Sequence, residues 1–256
     1  MLVPRFKDSL GKSSHAGETL HGHSMDCVKI AHKVLTDQRF TPADYPKQKR
    51  DQLLFSTFIH DVGKLDPIFQ TMLQASRDGQ PLPSKRIKHE ASTLDFEQFV
   101  QETQDEVKLY LRHELGYEFS ESIDLNDALA FAVTHHGLFY LSFEDRNGQV
   151  LRRVRREWTV FNYGERQRIT LADLLFDYHP LGGLVMISDL LGSFCYEQGI
   201  ANADDIIRGA QSLRELVDTL LQQGAPEVVE DSLKRYDPRA TYGLRDLLIL
   251  LAGGLA

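Results

Sequence analysis

Apolar residues recur at helical spacing along most of this chain, and this spacing is the feature that most restricts its fold. In residues 24–35 the apolar positions follow the 3.6-residue period of an amphipathic helix, with Ser24 as the predicted N-cap. These positions are Cys27, Val28, Ile30, Ala31, Val34 and Leu35. A chain built from such segments has to bury helix faces against one another, so we predict an all-α fold.

The same period predicts further helices over roughly 46–61, 68–73, 89–101, 105–115, 125–133, 181–195 and 203–221. Gly63 is expected to stop the first of these helices and Gly137 the one that begins near residue 125, because glycine readily ends a helix. Asp124 and Ser122 are alternative N-caps for that second helix. The segment 181–195 is the most strongly apolar of all.

The segment 140–163 breaks the helical pattern because it is rich in aromatic and β-branched residues. The dipeptide Asn147-Gly148 is typical of a tight turn, so we predict a β-hairpin-like insertion over 140–163. No internal repeat and no Ser/Gly/Pro linker divides the chain. We therefore predict a single helical-bundle domain over 1–256, whose tail 238–256 either completes the domain or begins a connection to another one.

The chain has 256 residues and a formal net charge of −8, which argues against a protein that covers its whole surface with nucleic acid or anionic membrane. A local basic groove remains compatible with this charge. Cys27 and Cys195 lie in apolar helical patterns and are predicted to be buried thiols. Since the N-terminus has no apolar signal region and the longest apolar run is too short to span a bilayer, we expect a cytoplasmic protein without membrane contact.

Ten histidines are the unusual count in the composition, and several stand beside an aspartate or at a predicted helix end. The candidate ligands among them are His23 (with His21 as its rival), His60-Asp61, His89 and His135-His136. Imidazole and carboxylate together suit divalent transition metals such as Mn, Fe, Co, Ni or Zn. Taken singly, each of these groups is more often a helix cap or a solvated side chain than a ligand.

Asp189 is a stronger indication, because it lies inside the apolar helix predicted over 181–195. An unpaired buried carboxylate would cost several kcal/mol, so such a group acquires a proton or a cationic partner. A lysine or arginine is the ordinary partner, and a metal ion is the alternative. Because several histidines and a His-Asp pair are available, we favour the metal ion.

Four short segments narrow the set of protein families that this chain can resemble. They are HDVGK at 60–64 followed by FQ at 69–70, KHEAS at 88–92, HHG at 135–137 and SDLLGS at 188–193. In this order, with His23 before them, they resemble the HD superfamily of metal-dependent phosphohydrolases. Within it they resemble the CRISPR-associated HD nuclease, the nuclease half of the type I interference helicase–nuclease. The HD pair alone is a weak motif, whereas the four segments together are specific.

This resemblance implies an HD-domain bundle that holds two divalent ions, of Mn, Ni, Co or Fe, through one shared carboxylate. The first ion would be held by His23, His60, Asp61 and Asp189. The second would be held by Asp61, His89, His135 and His136. Two ions about 3.5–4 Å apart activate a water molecule and stabilise the attacking and leaving oxygens of a phosphodiester.

Three further residues receive roles by matching position in the family motifs. Lys64, with Asp61 a catalytic residue of this hypothesis, would neutralise the scissile phosphate; a solvated charge at a helix end is its alternative role. Ser92 and Ser193 would donate hydrogen bonds behind the ligands. Their alternative role is to permit close helix packing, as small residues do.

Arginines cluster beside aromatic residues in the insertion, independently of the metal motifs. They are Arg152, Arg153, Arg155 and Arg156, with further arginines at 146, 166 and 168. Arginine follows phosphates, and aromatic faces stack unpaired bases without sequence preference. The strip is therefore a candidate site for single-stranded DNA, with a solvated hairpin as the alternative.

The resulting hypothesis is a metal-dependent deoxyribonuclease that cleaves single-stranded DNA in type I CRISPR interference. The alternative is an HD phosphohydrolase that acts on small nucleotides in a closed pocket, and the arginine-rich insertion argues against it. The sequence has no GxxxxGK[ST] phosphate-binding loop, so opening a duplex would need a helicase subunit or domain, toward which the tail 238–256 would lead. The resemblance also implies the CRISPR RNA-guided surveillance complex as a partner.

Overall fold

The structure is a computed structural model, which describes residues 1–14, 17–41, 43–120, 123–135, 141–146, 149–154, 160–162, 180–201, 203–212, 215–216 and 219. Within these residues, helices α1 to α9 span Leu2–Asp8, Leu20–Thr36, Lys47–Ile59, Pro67–Arg77, His89–Ser92, Glu97–Leu115, Leu125–Thr134, Pro180–Glu197 and Asp204–Gly209. Short 3-10 helices span Val62–Leu65 and Thr93–Phe96. The predicted all-α fold is confirmed. None of the helices described is long and apolar enough to cross a membrane.

Helix α3 lies at the centre of the bundle, where α2, α7 and α8 pack around it. Every residue from Asp51 to Ile59 is buried. Phe55 and Phe58 are fully buried among them, and truncating a side chain of this kind to alanine costs about 3–5 kcal/mol. Packing on several sides fixes the C-terminal end of α3, which leads directly into His60.

The start of α2 differs from the sequence prediction. The helix begins at Leu20, and its N-cap is Thr19, whose hydroxyl accepts a hydrogen bond from the amide of Gly22 at 3.0 Å. Ser24, the predicted N-cap, is a buried residue inside the helix. The prediction was wrong because polar residues interrupt the apolar stripe in the first turn, although the side of that turn carrying Leu20 and His23 is buried.

Residues 89–115 also differ from the two predicted helices. The chain forms the short helix α5, then the 3-10 turn Thr93–Phe96, and then one continuous helix α6. The buried residues of α6 are Val100, Thr103, Val107 and Leu111. Their spacing of three and four residues continues through the predicted boundary near residue 103, so a single buried face holds the helix together.

Two more predictions are corrected at the ends of the chain. Helix α1 was not predicted, because its seven residues are too few for a periodic signal. Its Leu2 and Phe6 are fully buried, and Phe6 stacks on Phe58 at 5.2 Å between ring centroids. The helix predicted over 203–221 is interrupted, because α9 ends at Gly209 and Ala210 has extended backbone (φ −81°, ψ 136°).

A side-chain clamp aligns α7 with α3. The side-chain amide of Gln52 donates to the carbonyl oxygen of Asp124 at 2.8 Å, and its carbonyl accepts from the amide of Asp124 at 2.9 Å. Because α7 begins at the next residue, Leu125, the start of α7 is fixed beside the first half of α3. The ends of the two helices then bring His60 and His135 together, with ring centroids 5.0 Å apart.

The insertion forms a three-stranded antiparallel sheet of order β1-β2-β3, from strands Leu141–Arg146, Gln149–Val154 and Val160–Asn162. Strands β1 and β2 pair from Leu141 with Val154 to Arg146 with Gln149. This pairing is that of the predicted β-hairpin, in a domain that is otherwise helical where it is described. The predicted turn at 147–148 and the tail 238–256 lie outside the described residues.

Candidate metal centre

The turn at the end of α3 presents the His-Asp pair. His60 still has helical backbone (φ −52°, ψ −34°), and Asp61 leaves the helix with φ −100° and ψ 14°. Nδ1 of His60 lies 2.6 Å from the carbonyl oxygen of Thr57, one turn earlier. This is the geometry of a donated hydrogen bond, so the other ring nitrogen, Nε2, faces Asp61, and loss of its proton would free its lone pair for a ligand.

Donor atoms from three elements meet at Oδ2 of Asp61. His23 of α2 and His60 each place Nε2 3.3 Å from this oxygen. Asp189 of α8 adds Oδ1, which lies 3.0 Å from Nε2 of His23 and 3.8 Å from Nε2 of His60. All four side chains are at most 8% exposed. The four residues expected to hold the first metal are thus neighbours in one buried cluster.

A second group of donors faces the other oxygen of the same carboxylate. Nε2 of His89, at the start of α5, lies 3.0 Å from Oδ1 of Asp61, and Nε2 of His135, at the end of α7, lies 3.5 Å from it. The two imidazole nitrogens are 3.4 Å apart. Asp61 therefore stands between two groups of histidines, with one oxygen toward each.

The structure distinguishes His21 from His23, the two alternatives for the first ligand at the start of α2. His23 is fully buried and points to Asp61 and Asp189. His21 is partly exposed, and its Nε2 lies 2.6 Å from the hydroxyl of Tyr110. Of the two residues, only His23 is within contact distance of the carboxylates.

Lys64 is buried beside the His-Asp pair. Its Nζ lies 2.5 Å from Oδ2 of Asp61 and donates a hydrogen bond to the carbonyl oxygen of Gly11 at 3.1 Å. Only 8% of the residue is exposed, which is incompatible with its alternative role as a solvated helix-end charge. The ammonium group supplies a positive charge at the oxygen shared with His23 and His60.

The two serines with predicted supporting roles differ in their contacts. Ser193 donates a hydrogen bond to Oδ1 of Asp189 at 3.3 Å and accepts one from Nζ of Lys12 at 2.5 Å. Ser92 donates instead to Asp66 at 3.2 Å, the residue that caps α4. Ser193 therefore contacts a candidate ligand, whereas Ser92 ties α5 to the start of α4.

The electrostatics of the two groups differ. Burial lowers the pKa of His60, but the carboxylates of Asp61 and Asp189 outweigh this effect and raise the pKa to about 10. Burial opposes ionisation of Asp61, yet Lys64 and His60 hold its pKa well below the usual range. Burial lowers the pKa of His89. The first cluster therefore pairs ionised carboxylates with cationic side chains, whose place a metal ion could take, and in the second cluster burial favours the neutral form of His89.

The donor atoms fit divalent metal ions. Nε2 of His60 and both carboxylate oxygens of Asp61 are buried, and none of them makes a well-directed hydrogen bond in the part of the chain that is described. Nζ of Lys64 and Nε2 of His89 approach the two oxygens as ion-pair partners. Metal coordination would satisfy all three atoms, and their nitrogen and carboxylate chemistry suits Mn, Fe, Co, Ni or Zn.

His136, Arg155 and Arg156 lie outside the described residues. Arg152 and Arg153 lie on β2, where their backbones pair with Phe161 and Val160 of β3.

Sequence reasoning assigned no part in the site to Cys27, Lys12 or Glu18. Cys27 follows His23 by one helical turn, a spacing that places both on the same face of α2 and is readable from the sequence. Lys12 and Glu18 belong to a loop whose ends are joined by a bridge between Leu10 and Thr19. Oε2 of Glu18 lies 3.8 Å from Nδ1 of His23, a proximity that no local pattern in the sequence indicates.

Comparison with known proteins gives the family. The searches of curated proteins and of solved structures found no match. The family model described as the HD domain of Cas3 matches residues 10–195, a span that contains α2 to α7, most of α8 and all the candidate ligands. Since this match covers more than half of the chain, the chain belongs to the family of Cas3 HD domains, which are metal-dependent nucleases of CRISPR interference.

Proposed function

We propose that this domain hydrolyses phosphodiester bonds of single-stranded DNA with two divalent metal ions that share Asp61. The observation that carries this proposal is the division of the Asp61 carboxylate: Oδ2 faces His23 and His60, and Oδ1 faces His89 and His135. A carboxylate with donors on both sides is the arrangement that a bridged two-metal site needs. His136 is proposed as a further ligand of the second ion.

Two bound ions would supply activation of water and stabilisation of charge on the phosphate. The protein residues have separate tasks. The hydrogen bonds of His60 to Thr57 and of His135 to the carbonyl oxygen of Ala132, at 2.6 and 2.5 Å, orient both imidazoles toward Asp61. Fixed tautomers of this kind hold the ligands in place before the substrate binds.

Lys64 is proposed to contact the scissile phosphate. Its ammonium group lies beside Asp61, and a metal ion bound to the same carboxylate would take over that charge compensation. The side chain would then be available to the anionic substrate. The site is lined by the loop that carries Gly11 and Lys12, so this loop lies beside the path of the phosphate.

The proposed DNA contacts beyond the metal centre are Arg152, Arg153, Arg155 and Arg156 of the insertion. The insertion over 140–163 comes shortly after His135 in sequence, which supports a place near the site. A strand held by arginines and aromatic residues would be read without sequence preference. The proposed partners that deliver it are a helicase and the RNA-guided surveillance complex.

The test uses purified protein loaded with Mn, Co or Ni and incubated with single-stranded DNA, duplex DNA or mononucleotides. We expect degradation of the single strand, with the intact duplex much less affected. The variant Asp61→Ala should lose activity and the capacity to bind two ions, whereas Asp105→Ala, which changes an exposed carboxylate on α6, should keep both. Hydrolysis of nucleotides without cleavage of DNA would support a small-molecule phosphohydrolase instead.

A further inference from the structure

We propose that Cys27 is an additional protein ligand of the first metal ion, beside His23, His60, Asp61 and Asp189, and that this thiolate directs the site toward thiophilic divalent ions such as Zn²⁺ and Co²⁺. The inference rests on the proposed function, because it specifies the chemistry of the same site. It adds a soft sulfur donor to a set that otherwise consists of nitrogen and oxygen.

The position of Cys27 on α2 brings its sulfur to the site. One helical turn separates it from His23, so both side chains leave the same face of the helix. The Sγ atom lies 3.8 Å from Nε2 and 3.9 Å from Nδ1 of His23. Donor atoms of Cys27, His23, His60 and Asp189 all lie within 4.8 Å of one another, and all four residues are buried.

The spacing of these atoms matches a coordination shell. Bonds of about 2.3 Å to sulfur and about 2.1 Å to nitrogen or oxygen place neighbouring ligand atoms of a five-coordinate ion roughly 3.0–3.8 Å apart. The distances from Nε2 of His23 to Sγ of Cys27 and to Oδ1 of Asp189 are 3.8 and 3.0 Å, and Oδ1 lies 3.8 Å from Nε2 of His60. All three distances lie within this range.

The surroundings of Cys27 distinguish it from an ordinary buried cysteine. A thiol that merely fills space lies among apolar side chains, whereas Sγ of Cys27 lies within 4.8 Å of donor atoms of two histidines and a carboxylate. One of these groups, Nε2 of His60, is a buried nitrogen without a hydrogen-bond partner in the described residues. Two observations, the grouping of four donors and the unsatisfied nitrogen, therefore point to the same ligand.

The backbone of α8 leaves room for the sulfur at this point. A Cβ atom at Gly192 would lie only 3.1 Å from Sγ of Cys27. The glycine thus allows α8 to approach α2 closely while the thiol stays beside Asp189, which lies three residues earlier on α8. When a metal binds, the thiol would release its proton to solvent, as thiolate coordination requires.

A thiolate changes which ions the site prefers. Sulfur donors favour Zn²⁺ and Co²⁺ over Mn²⁺ and Mg²⁺, which prefer oxygen. We expect replacement of Cys27 by alanine to weaken Co²⁺ and Zn²⁺ binding by at least about tenfold, with a much smaller change for Mn²⁺. The preference of the first metal site would then shift toward the harder ions.

The experiment is a titration of the metal-free protein with Co²⁺, followed by absorption spectroscopy. A thiolate bound to Co²⁺ gives a charge-transfer band in the near ultraviolet, which nitrogen and oxygen ligands do not give. The chain has two cysteines, so Cys195→Ala is a matched control on α8. We expect the band in the wild type and in Cys195→Ala, and its loss in Cys27→Ala and Cys27→Val.

The outcomes are distinguishable. Co²⁺ binding by the wild type without the charge-transfer band would overturn the role of Cys27 and leave the proposed function standing. A band that persists in Cys27→Ala would overturn it as well. If both Cys27 variants fail to fold, the band in Cys195→Ala decides, because Cys27 is then the remaining cysteine. Failure of the wild type to bind any divalent ion would overturn the proposed function together with this inference.

Discussion

Nζ of Lys64 lies 2.5 Å from Oδ2 of Asp61, the carboxylate oxygen that also faces His23 and His60. The ammonium group therefore compensates the charge of Asp61, at a position where a bound metal ion would compensate it equally well. In the proposed site, lysine and metal would have overlapping electrostatic roles at this oxygen. Their competition has a measurable consequence for stability.

We expect Lys64→Met to destabilise the metal-free protein by about 3–5 kcal/mol, the usual cost of removing one partner from a buried ion pair. Saturating Mn²⁺ or Co²⁺ should restore much of this loss, because the ion replaces the missing charge and binds only the folded state. Thermal unfolding with and without metal measures both effects. Lys49→Met, at an exposed position near the start of α3, should change neither; an equal loss with and without metal would contradict the argument.

Gly63 sets the distance between the His-Asp turn and the helix that carries His89. A Cβ atom at this position would overlap the backbone of α5 and would lie 2.8 Å from both the carbonyl carbon of His89 and the amide nitrogen of Thr93. Gly63→Ala should therefore displace α5, lower stability by about 1–3 kcal/mol as overpacking does, and weaken binding of the second metal ion more than the first. Isothermal titration calorimetry with the metal ion measures the affinities of the two sites separately.

Gly209 provides the matched control for that substitution. It closes α9, and a Cβ atom there would have no neighbour within 4 Å. Gly209→Ala should leave metal binding unchanged and keep or slightly raise stability, since alanine is the better helix former. A loss of metal binding in both glycine variants would show that the effect at Gly63 is not local.

Ser193 connects Lys12 with Asp189 through two hydrogen bonds. Removing the hydroxyl in Ser193→Ala would leave Asp189 freer to rotate, so we expect the affinity of the first metal site to fall by about 10- to 100-fold. Thr36→Ala is a suitable control, because its hydroxyl donates to the carbonyl oxygen of His32 at the exposed end of α2. Equal metal affinities of wild type and Ser193→Ala would exclude a supporting role for the serine.

The periodicity of the sequence was sufficient to predict the helices that bury a continuous apolar face. It predicted α2, α3 and the helical identity of α8, where such residues recur every three or four positions. The periodicity placed helix boundaries wrongly where a polar residue is buried by the tertiary structure. Thr103 was assigned to a gap between helices, yet its hydroxyl donates to the carbonyl oxygen of Phe99 at 2.7 Å and the residue is buried inside α6.

The candidate ligands were identifiable because histidine and aspartate are conspicuous in apolar helices and the motifs occur in a specific order. The family resemblance implied that Asp61 is shared between two groups of ligands, but the residue pattern alone did not provide this division, since it depends on how α2, α7 and α8 meet around α3. Nor did it indicate the burial of Lys64. A lysine just after a helix is usually solvated, and here only tertiary packing against Gly11 encloses it.

Asp51 offers a test of stability away from the metal centre. Its side chain is buried and accepts hydrogen bonds from the hydroxyl of Tyr117 at 2.7 Å, the amide of Ser120 at 2.7 Å and Nζ of Lys47 at 2.9 Å. Burial raises the pKa of Asp51, but these hydrogen bonds outweigh it, so the pKa of the folded protein is lowered from the usual value. The network fixes the segment that leads into α7.

The lowered pKa makes this contribution depend on pH. The unfolded chain protonates Asp51 near pH 3.9, roughly the value of a free aspartate, whereas the folded chain keeps the carboxylate to lower pH. The contribution is therefore complete above the unfolded pKa and is lost as the pH falls through the folded pKa. We expect Asp51→Asn to lower the free energy of unfolding by about 2 kcal/mol at pH 7, as for hydrogen bonds to a charged group. The difference from wild type should shrink below about pH 4. Urea unfolding from pH 3 to 8 measures it, and a difference that stays constant with pH would show that the charge of Asp51 does not stabilise the fold.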